Sequence, residues 1–456
     1  MEPYSQAIGN FVRGLSLDQV PPAVVEKAKL VFLDTLGIAL ASSTMDFGRM
    51  VLNVAKKLGG AAHSRLIGTP VKVAGANAVI ANATLAHGLD YDDTLEEAIV
   101  HTGCCAAITA LAAGEESGAG GKAVLEAAIA GTEVMSKIGL VAPGKFHARG
   151  FHPTALCSTF GAAAAAGKLY SLEPHQWVDA FGLCGSQSSG IIEYLADGTW
   201  SKRLHPGWSA HGGMIATLLA QEGFCGPAKV FEGTHGFYHA FGGPNQYRFE
   251  KLTELGKDWE TPRLAFKSYP CGSISHPYMD CALKLKQQYN PAPEKIAEVV
   301  CRTAEGPVHR LWEPLADKRR PVSSYGAKFS LPYSIAVMLV HGKAGLAEFT
   351  DEAIQDRAVL NLAAKVRYVL DPSIDYPRHF SGHVKIVLDD GTSLEENQPH
   401  PRGGYEDPLP PDAIEDKFRA NARLALPQDR TEKLITAVRA LEQVASIGSV
   451  ADLLGN

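Results

Sequence analysis

The stretch VAGANAVIANATLAHGLDY, residues 73–91, decides the fold. It is a helix-length run of Ala, Gly and Asn with scattered larger apolar side chains and few β-branched clusters, which predicts a helix rather than a strand. Side chains this small let helices approach closely, so the segment is expected to sit inside a bundle. The same texture returns in CCAAITALAAGEESG (104–118), AVLEAAIAGTEVMSKIGLV (123–141) and TFGAAAAAGKLY (159–170), and EPHQWVDAFGLCGSQSSGII (173–192) and WSAHGGMIATLLAQEGF (208–224) extend it. Upstream, PPAVVEKAKLVFLDTLGIALAS (21–42) carries apolar residues at helical spacing behind two prolines suited to a first turn. Residues 1–264 are therefore expected to form the first part of an all-helical large domain.

After about residue 262 the texture changes. KIAEVVCRTA (295–304) reads as a short strand, and HVKIVLDDGTSLEEN (383–397) sets Asp-Gly between an alternating run and a polar run, a strong hairpin signal. Between them, SLPYSIAVMLVHG (330–342) and DEAIQDRAVLNLAAKV (351–366) have helical periods. A smaller α+β lid domain, 265–401, is expected to be inserted here. The Pro- and Gly-rich loop QPHPRGGYEDPLPPD (398–412) leads into two amphipathic helical segments, so 402–456 is expected to return to the helical domain. The fold class is thus mainly α, with no internal repeat.

At 456 residues, 46% hydrophobic and 20% charged, the chain is ordinary for a globular protein and long for one core. A formal net charge of −6 argues against a nucleic-acid partner, because phosphate binding needs clustered Lys and Arg. MEPYSQAIGNFVRGL has neither a basic leader nor an unbroken apolar core, and no apolar run approaches the roughly 20 residues of a membrane span. No membrane association and a cytoplasmic location are expected. The eight cysteines are scattered without a CxxC pair, so free thiols are expected rather than disulfides, a thiolate zinc site or an iron–sulfur cluster.

Four segments carry candidate chemistry. AHGLDYDDTLEEAIVHTG (86–103) crowds His87, Asp90, Asp92, Asp93, Thr94 and His101, the groups that move protons near neutral pH or bind metal. The alternative is that Asp92, Asp93 and Thr94 only cap the next helix. DYDDTLEEAIVH lacks the glycine of a calcium loop at its sixth position. In HARGFHPT (147–154), His152 precedes a proline at the start of an Ala-rich helix, whose N-terminus can help hold an anion; the alternative is a structural loop histidine. DGTWSKRLHPGWSAHGG (197–213) sets Lys202 and Arg203 in a Gly- and Trp-lined loop that suits a carboxylate clamp, against the plainer reading of a solvated face. FKSYPCGSISHPYMD (266–280) places Lys267, Tyr269, Cys271 and His276 at the expected domain junction, where clefts tend to lie; a proline-set hinge is the alternative. GxGxxG after a strand, GxxxxGK[ST], HExxH and GxSxG do not occur, so side chains must supply the chemistry.

Together AHGLDYDDT, GFHPT, KRLHPGW, GPAKVFEGTHGFYHAF and FKSYPCGSISHPYMDCAL resemble the successive motifs of the MmgE/PrpD family, and the resemblance runs from residue 21 to PLPPDAIEDKF (408–418). That family includes 2-methylcitrate dehydratases, cis-aconitate decarboxylases and an iminodisuccinate epimerase. The resemblance implies a helical domain with an α+β lid, a homodimer, a small polycarboxylate substrate, and neither metal nor organic cofactor. By similarity to the decarboxylases the catalytic residues map to Asp90, Thr94, His101, His152, Lys202 and Lys267, with Tyr269 and His276 as further substrate-binding candidates. The Thr94 to His101 spacing is one residue longer than in the animal decarboxylases, Tyr269 stands where they carry Phe, and the insertion associated with the dehydratases after DYDDT is absent.

Elimination, decarboxylation and epimerisation all pass through a carbanion beside a carboxylate. On that footing His101 and His152 are expected to handle protons, Lys202 and Lys267 to hold carboxylates, and Asp90 and Thr94 to orient His101 and the substrate. The expected activity is a lyase. The competing readings are an epimerase of a similar dicarboxylate, a non-catalytic carboxylate binder, and a metal-dependent lyase using His87, Asp90 and His101.

Overall fold

The Pro22–Ser43 helix starts on a proline at its first turn and is buried on every side from Ala28 to Ser43, as expected of a helix apolar all round. In the computed structural model, which describes residues 2–455, it packs against the Gly75–His87, Gly103–Ser117 and Pro411–Ala422 helices. These belong to the first of two units, which runs through Ile192, resumes over Ser201–Leu264 and returns from Pro410 onward.

Small residues set the packing of this unit. The Gly121–Val141 and Pro153–Leu169 helices meet at Gly131 and Gly161, where a Cβ on Gly131 would lie 2.8 Å from the Gly161 carbonyl oxygen. The Ser201–Gln221 helix lies on Gly75–His87 and Pro153–Leu169, and a Cβ on Gly207 would lie 2.3 Å from the Ile80 oxygen. No larger side chain allows these approaches. The returning C-terminal segment is tied in by buried Lys417, which reaches Asp34 at 2.9 Å and donates to the Tyr91 carbonyl at 2.7 Å.

The second unit comprises Glu193–Trp200 and Ala265–Leu409. Its sheet has the order Val366–Leu370, Ile296–Thr303, Gly382–Leu388, Ser393–Gln398, the first pair parallel and the other two antiparallel. The Asp-Gly signal marks a hairpin in which Gly391 takes φ 85° and Leu388 N–H donates to the Thr392 oxygen at 2.8 Å. The His276–Tyr289 and Leu331–His341 helices share its apolar core with buried Val299, Val366, Val384 and Ile386.

Three details depart from expectation. The large unit is not wholly helical, because Ser64–Arg65 and Lys72–Val73 pair as a short antiparallel hairpin. Glu193–Trp200, expected with the first 264 residues, groups with the second unit, where the Tyr194 ring lies 6.3 Å from that of Phe329. The return to the helical unit starts at Pro410 rather than 402: Gly403 accepts from Phe266 N–H at 2.9 Å and donates to the Asp407 oxygen at 2.7 Å, and Arg402 approaches Asp280 at 3.5 Å. Among the described residues, no helix is long and apolar enough to cross a membrane.

Candidate active site

The Gly75–His87 helix stops at Gly88, and Asp90 then takes a left-handed turn at φ 55°, a conformation Asp tolerates better than most residues. The turn leads into Asp92–Thr94. Asp93 is fully inside the protein, and its carboxylate accepts from Thr102 N–H at 2.9 Å, Thr102 O–H at 2.7 Å and Gly103 N–H at 2.8 Å. It thereby caps the Gly103–Ser117 helix. Burial raises its pKa, as does the neighbouring Asp92, against which these hydrogen bonds work.

Between these anchors Leu95 and Val100 exchange both backbone hydrogen bonds, at 2.8 and 3.3 Å, and Ile99 closes the turn at φ 56°. This excursion returns His101 to the segment it left. His101 Nδ1 lies 2.8 Å from the Asp93 carbonyl oxygen and 3.0 Å from Thr94 Oγ1, and its backbone N–H donates to Thr154 Oγ1 at 3.1 Å. Of the two readings of this segment, capping holds for Asp93, whereas Thr94 contacts the His101 ring and Asp92 Oδ2 sits 2.7 Å from His87 Nδ1.

His152 precedes Pro153 at the start of the Pro153–Leu169 helix, and its N–H donates to the Gly190 oxygen at 3.0 Å. Its ring centroid is 5.6 Å from that of His87 and 6.2 Å from that of His101, and His87 and His101 are 5.0 Å apart. On its other side, His152 Nδ1 is 3.1 Å from His205 Nδ1. Burial, then the charges of His205 and Lys202, hold His152 well below the usual histidine range. His205 is pushed down to about 4, chiefly by burial. Both rings are therefore neutral near pH 7.

Lys202 lies in the first turn of the Ser201–Gln221 helix and pairs with Asp90, with both side chains buried. Arg203, beside it, is buried, with its guanidinium over the Phe47 ring at 4.1 Å. Five of the six predicted catalytic residues, Asp90, Thr94, His101, His152 and Lys202, thus stand in one network of the first unit. His87, expected only as a candidate proton-transfer or metal-binding group, and His205, which had no assigned role, complete the network.

Lys267, Tyr269 and His276 belong to the second unit, and all three are buried. Tyr269 donates to Asp280 at 2.7 Å, accepts from Arg402 Nη2 at 3.2 Å, and lies with its ring centroid 5.2 Å from that of His276. Burial and the Asp280 charge raise the phenol's pKa, so its anion is costly and a base role is poorly served. A cleft of about 450 Å³ in the first unit is lined by Lys229, His235, Phe237 and Phe241 of the GPAKVFEGTHGFYHAF motif, and none of the predicted site residues lines it.

One ring nitrogen from each of His87, His101 and His152 lies within 4.8 Å of the others, a donor set able to hold a cation. His379, His400 and Glu406, in the second unit, also come together, at or near the surface. All eight cysteines are free thiols, seven of them buried. Burial pushes Cys105 up to about 12, so its thiolate is scarce.

Residues 6–250 match the MmgE/PrpD N-terminal domain and residues 269–443 the MmgE/PrpD C-terminal domain. Over 98% of its length the chain is 26% identical to a cis-aconitate decarboxylase-like protein of Aspergillus oryzae, covering 96% of that protein. It is 27% identical to a cis-aconitate decarboxylase of Aspergillus terreus, over 98% of this chain and 95% of the relative. A mitochondrial 2-methylcitrate dehydratase of Yarrowia lipolytica is 24% identical, over 95% of this chain and 86% of that protein.

Proposed function

Because the chain belongs to the MmgE/PrpD family, we propose that it is a lyase acting on a small tricarboxylate, with decarboxylation of a cis-aconitate-like acid as its principal reaction. The observation that carries this reading is the buried cluster of neutral His152, His101 and the Lys202–Asp90 pair. Identity of 26% to a cis-aconitate decarboxylase-like protein and 27% to a cis-aconitate decarboxylase, against 24% to a 2-methylcitrate dehydratase, favours decarboxylation over dehydration.

In the proposed reaction the bond between the carbon skeleton and one carboxylate breaks and carbon dioxide leaves. The bonding pair stays on carbon, spreads over the adjacent double bond, and is quenched by one proton. His101 delivers that proton. Its Nδ1–H is held by the Asp93 carbonyl and Thr94, so Nε2 is the nitrogen that gains and loses a proton, and the carbonyl steadies the imidazolium. Lys202, whose charge is felt at His152, supplies the local ammonium that a polyanionic substrate needs in an acidic protein. Lys267, which the resemblance maps to the site, is assigned as a carboxylate partner. A homodimer is part of the proposal and is tested by sedimentation.

Dehydration is the second reading, favoured by the similarity to the Yarrowia lipolytica dehydratase. There a neutral His152 suits the base that removes a carbon-bound proton, and an imidazolium serves the leaving hydroxyl. Incubation with cis-aconitate, 2-methylcitrate and iminodisuccinate in heavy water, followed by proton NMR, separates the reactions. Loss of carbon dioxide with one deuteron on the product carbon supports the principal reading. Loss of water supports the second, and exchange without loss of either group supports an epimerase and overturns both.

A further inference from the structure

The histidine cluster has the donor arrangement of a transition-metal site. In each of its three rings Nδ1 already has a neighbour: the Asp92 carboxylate at 2.7 Å for His87, the Asp93 carbonyl at 2.8 Å for His101, and His205 Nδ1 at 3.1 Å for His152. A ring nitrogen facing a carbonyl or an ionised carboxylate carries the proton, which leaves the lone pair of His87 and His101 on Nε2. His87 is wholly buried, and its Nε2 has no hydrogen-bond partner among the described residues. Metal-binding imidazoles are typically held in this way, one nitrogen anchored by a carboxylate or carbonyl and the other aimed at the ion.

We propose that His87, His101 and His152 bind a single divalent transition cation of the Zn²⁺ class through three imidazole nitrogens, and that the bound cation inhibits the enzyme. Imidazole ligands select Zn²⁺, Co²⁺ or Cu²⁺ over Mg²⁺ and Ca²⁺, which prefer oxygen. Zinc–nitrogen bonds of about 2.0–2.1 Å in tetrahedral geometry bring ligand nitrogens to roughly 3.4 Å from one another. The three nitrogens lie within 4.8 Å of one another, close enough for small ring movements to reach that geometry, with a fourth position left for water or a carboxylate. The ion ties up the lone pairs of His101 and His152 that would otherwise move protons. The inhibitory half of the proposal rests on the lyase reading, whereas the binding half does not.

The test uses the full chain, untagged and stripped with chelator. Titration with Co²⁺ is expected to raise the visible absorption of a four-coordinate complex at one equivalent, to be reversed by Zn²⁺ and unaffected by Mg²⁺. His87→Gln is expected to weaken Co²⁺ binding by at least about 100-fold, and Asp92→Asn by about 10- to 100-fold. X-ray absorption of the 1:1 zinc complex of the unaltered protein counts ligands without any substitution, and three imidazoles at about 2.0–2.1 Å are expected. No saturable Co²⁺ binding, fewer than three imidazoles, or unchanged binding in a folded His87→Gln protein overturns the site. In turnover assays Zn²⁺ is expected to inhibit and chelator to restore the rate; activity that instead requires the metal overturns the inhibitory role. A chain that binds Co²⁺ as described but converts none of the acids supports the site and contradicts the lyase reading.

Discussion

The Asp93 carbonyl oxygen stands 2.8 Å from His101 Nδ1, while the carboxylate of the same Asp93 caps the Gly103–Ser117 helix two residues beyond that histidine. One residue thus fixes the loop and the ring tautomer together. Asp93→Ala removes three hydrogen bonds to a buried carboxylate and orphans the helix start. It is expected to lower stability by about 2–3 kcal/mol, read from the midpoint of denaturant unfolding, and to reduce turnover as His101 loosens. An unchanged midpoint contradicts this role.

Lys202 and Asp90 form a pair in which both side chains are buried. Removing only the ammonium strands a buried carboxylate, so Lys202→Met is expected to destabilise the protein by about 3–5 kcal/mol. The double replacement with Asp90→Asn is expected to recover much of that stability and none of the activity. Recovery of both would place the pair outside the chemistry.

His205 links the cluster to acid stability. Its pKa falls from 6.5 to about 4 on folding, so between those values the unfolded chain binds a proton that the folded chain does not. Stability from this residue is therefore intact above pH 6.5 and is lost as the pH falls from 6.5 towards 4. Relative to His205→Asn, the wild type is expected to weaken across that window and to run parallel above it, in denaturant titrations at stepped pH. A gap that stays constant from pH 4 to 8 would refute the shift.

Gly131 tests the packing. Alanine there gains about 1 kcal/mol in helix propensity, but its Cβ would sit 2.8 Å from a backbone oxygen, and overpacking typically costs about 1–3 kcal/mol. Gly131→Ala is expected to lower the thermal midpoint, whereas the change at Gly118, where nothing lies within 4 Å, is governed by its positive φ of 68° alone.

Much of this was legible in the residues themselves. The Ala- and Gly-rich periods of 73–91 and 123–141 mark buried helices because small side chains at helical spacing have few other uses, and Asp-Gly at 390–391 marks the hairpin through its turn geometry. The Ser64–Arg65 and Lys72–Val73 pairing was not legible, since two-residue strands show no alternation. Nor was the attachment of Glu193–Trp200, which depends on the distant Phe329. In the site, motif order marked His101, His152 and Lys202. His87 was legible as a candidate but not its pairing with Asp92, and the role of His205 was not legible, because these partners, Asp92 and His152, are brought within 2.7 and 3.1 Å only by the folded chain.

The role of His101 as the proton donor is tested most directly by the turnover of His101→Ala, assayed on cis-aconitate with circular dichroism and thermal unfolding to verify the fold. A native fold is expected, with a rate lowered by about 100- to 10,000-fold, the usual worth of a general acid–base group. A folded His101→Ala protein that turns over at the wild-type rate would contradict it.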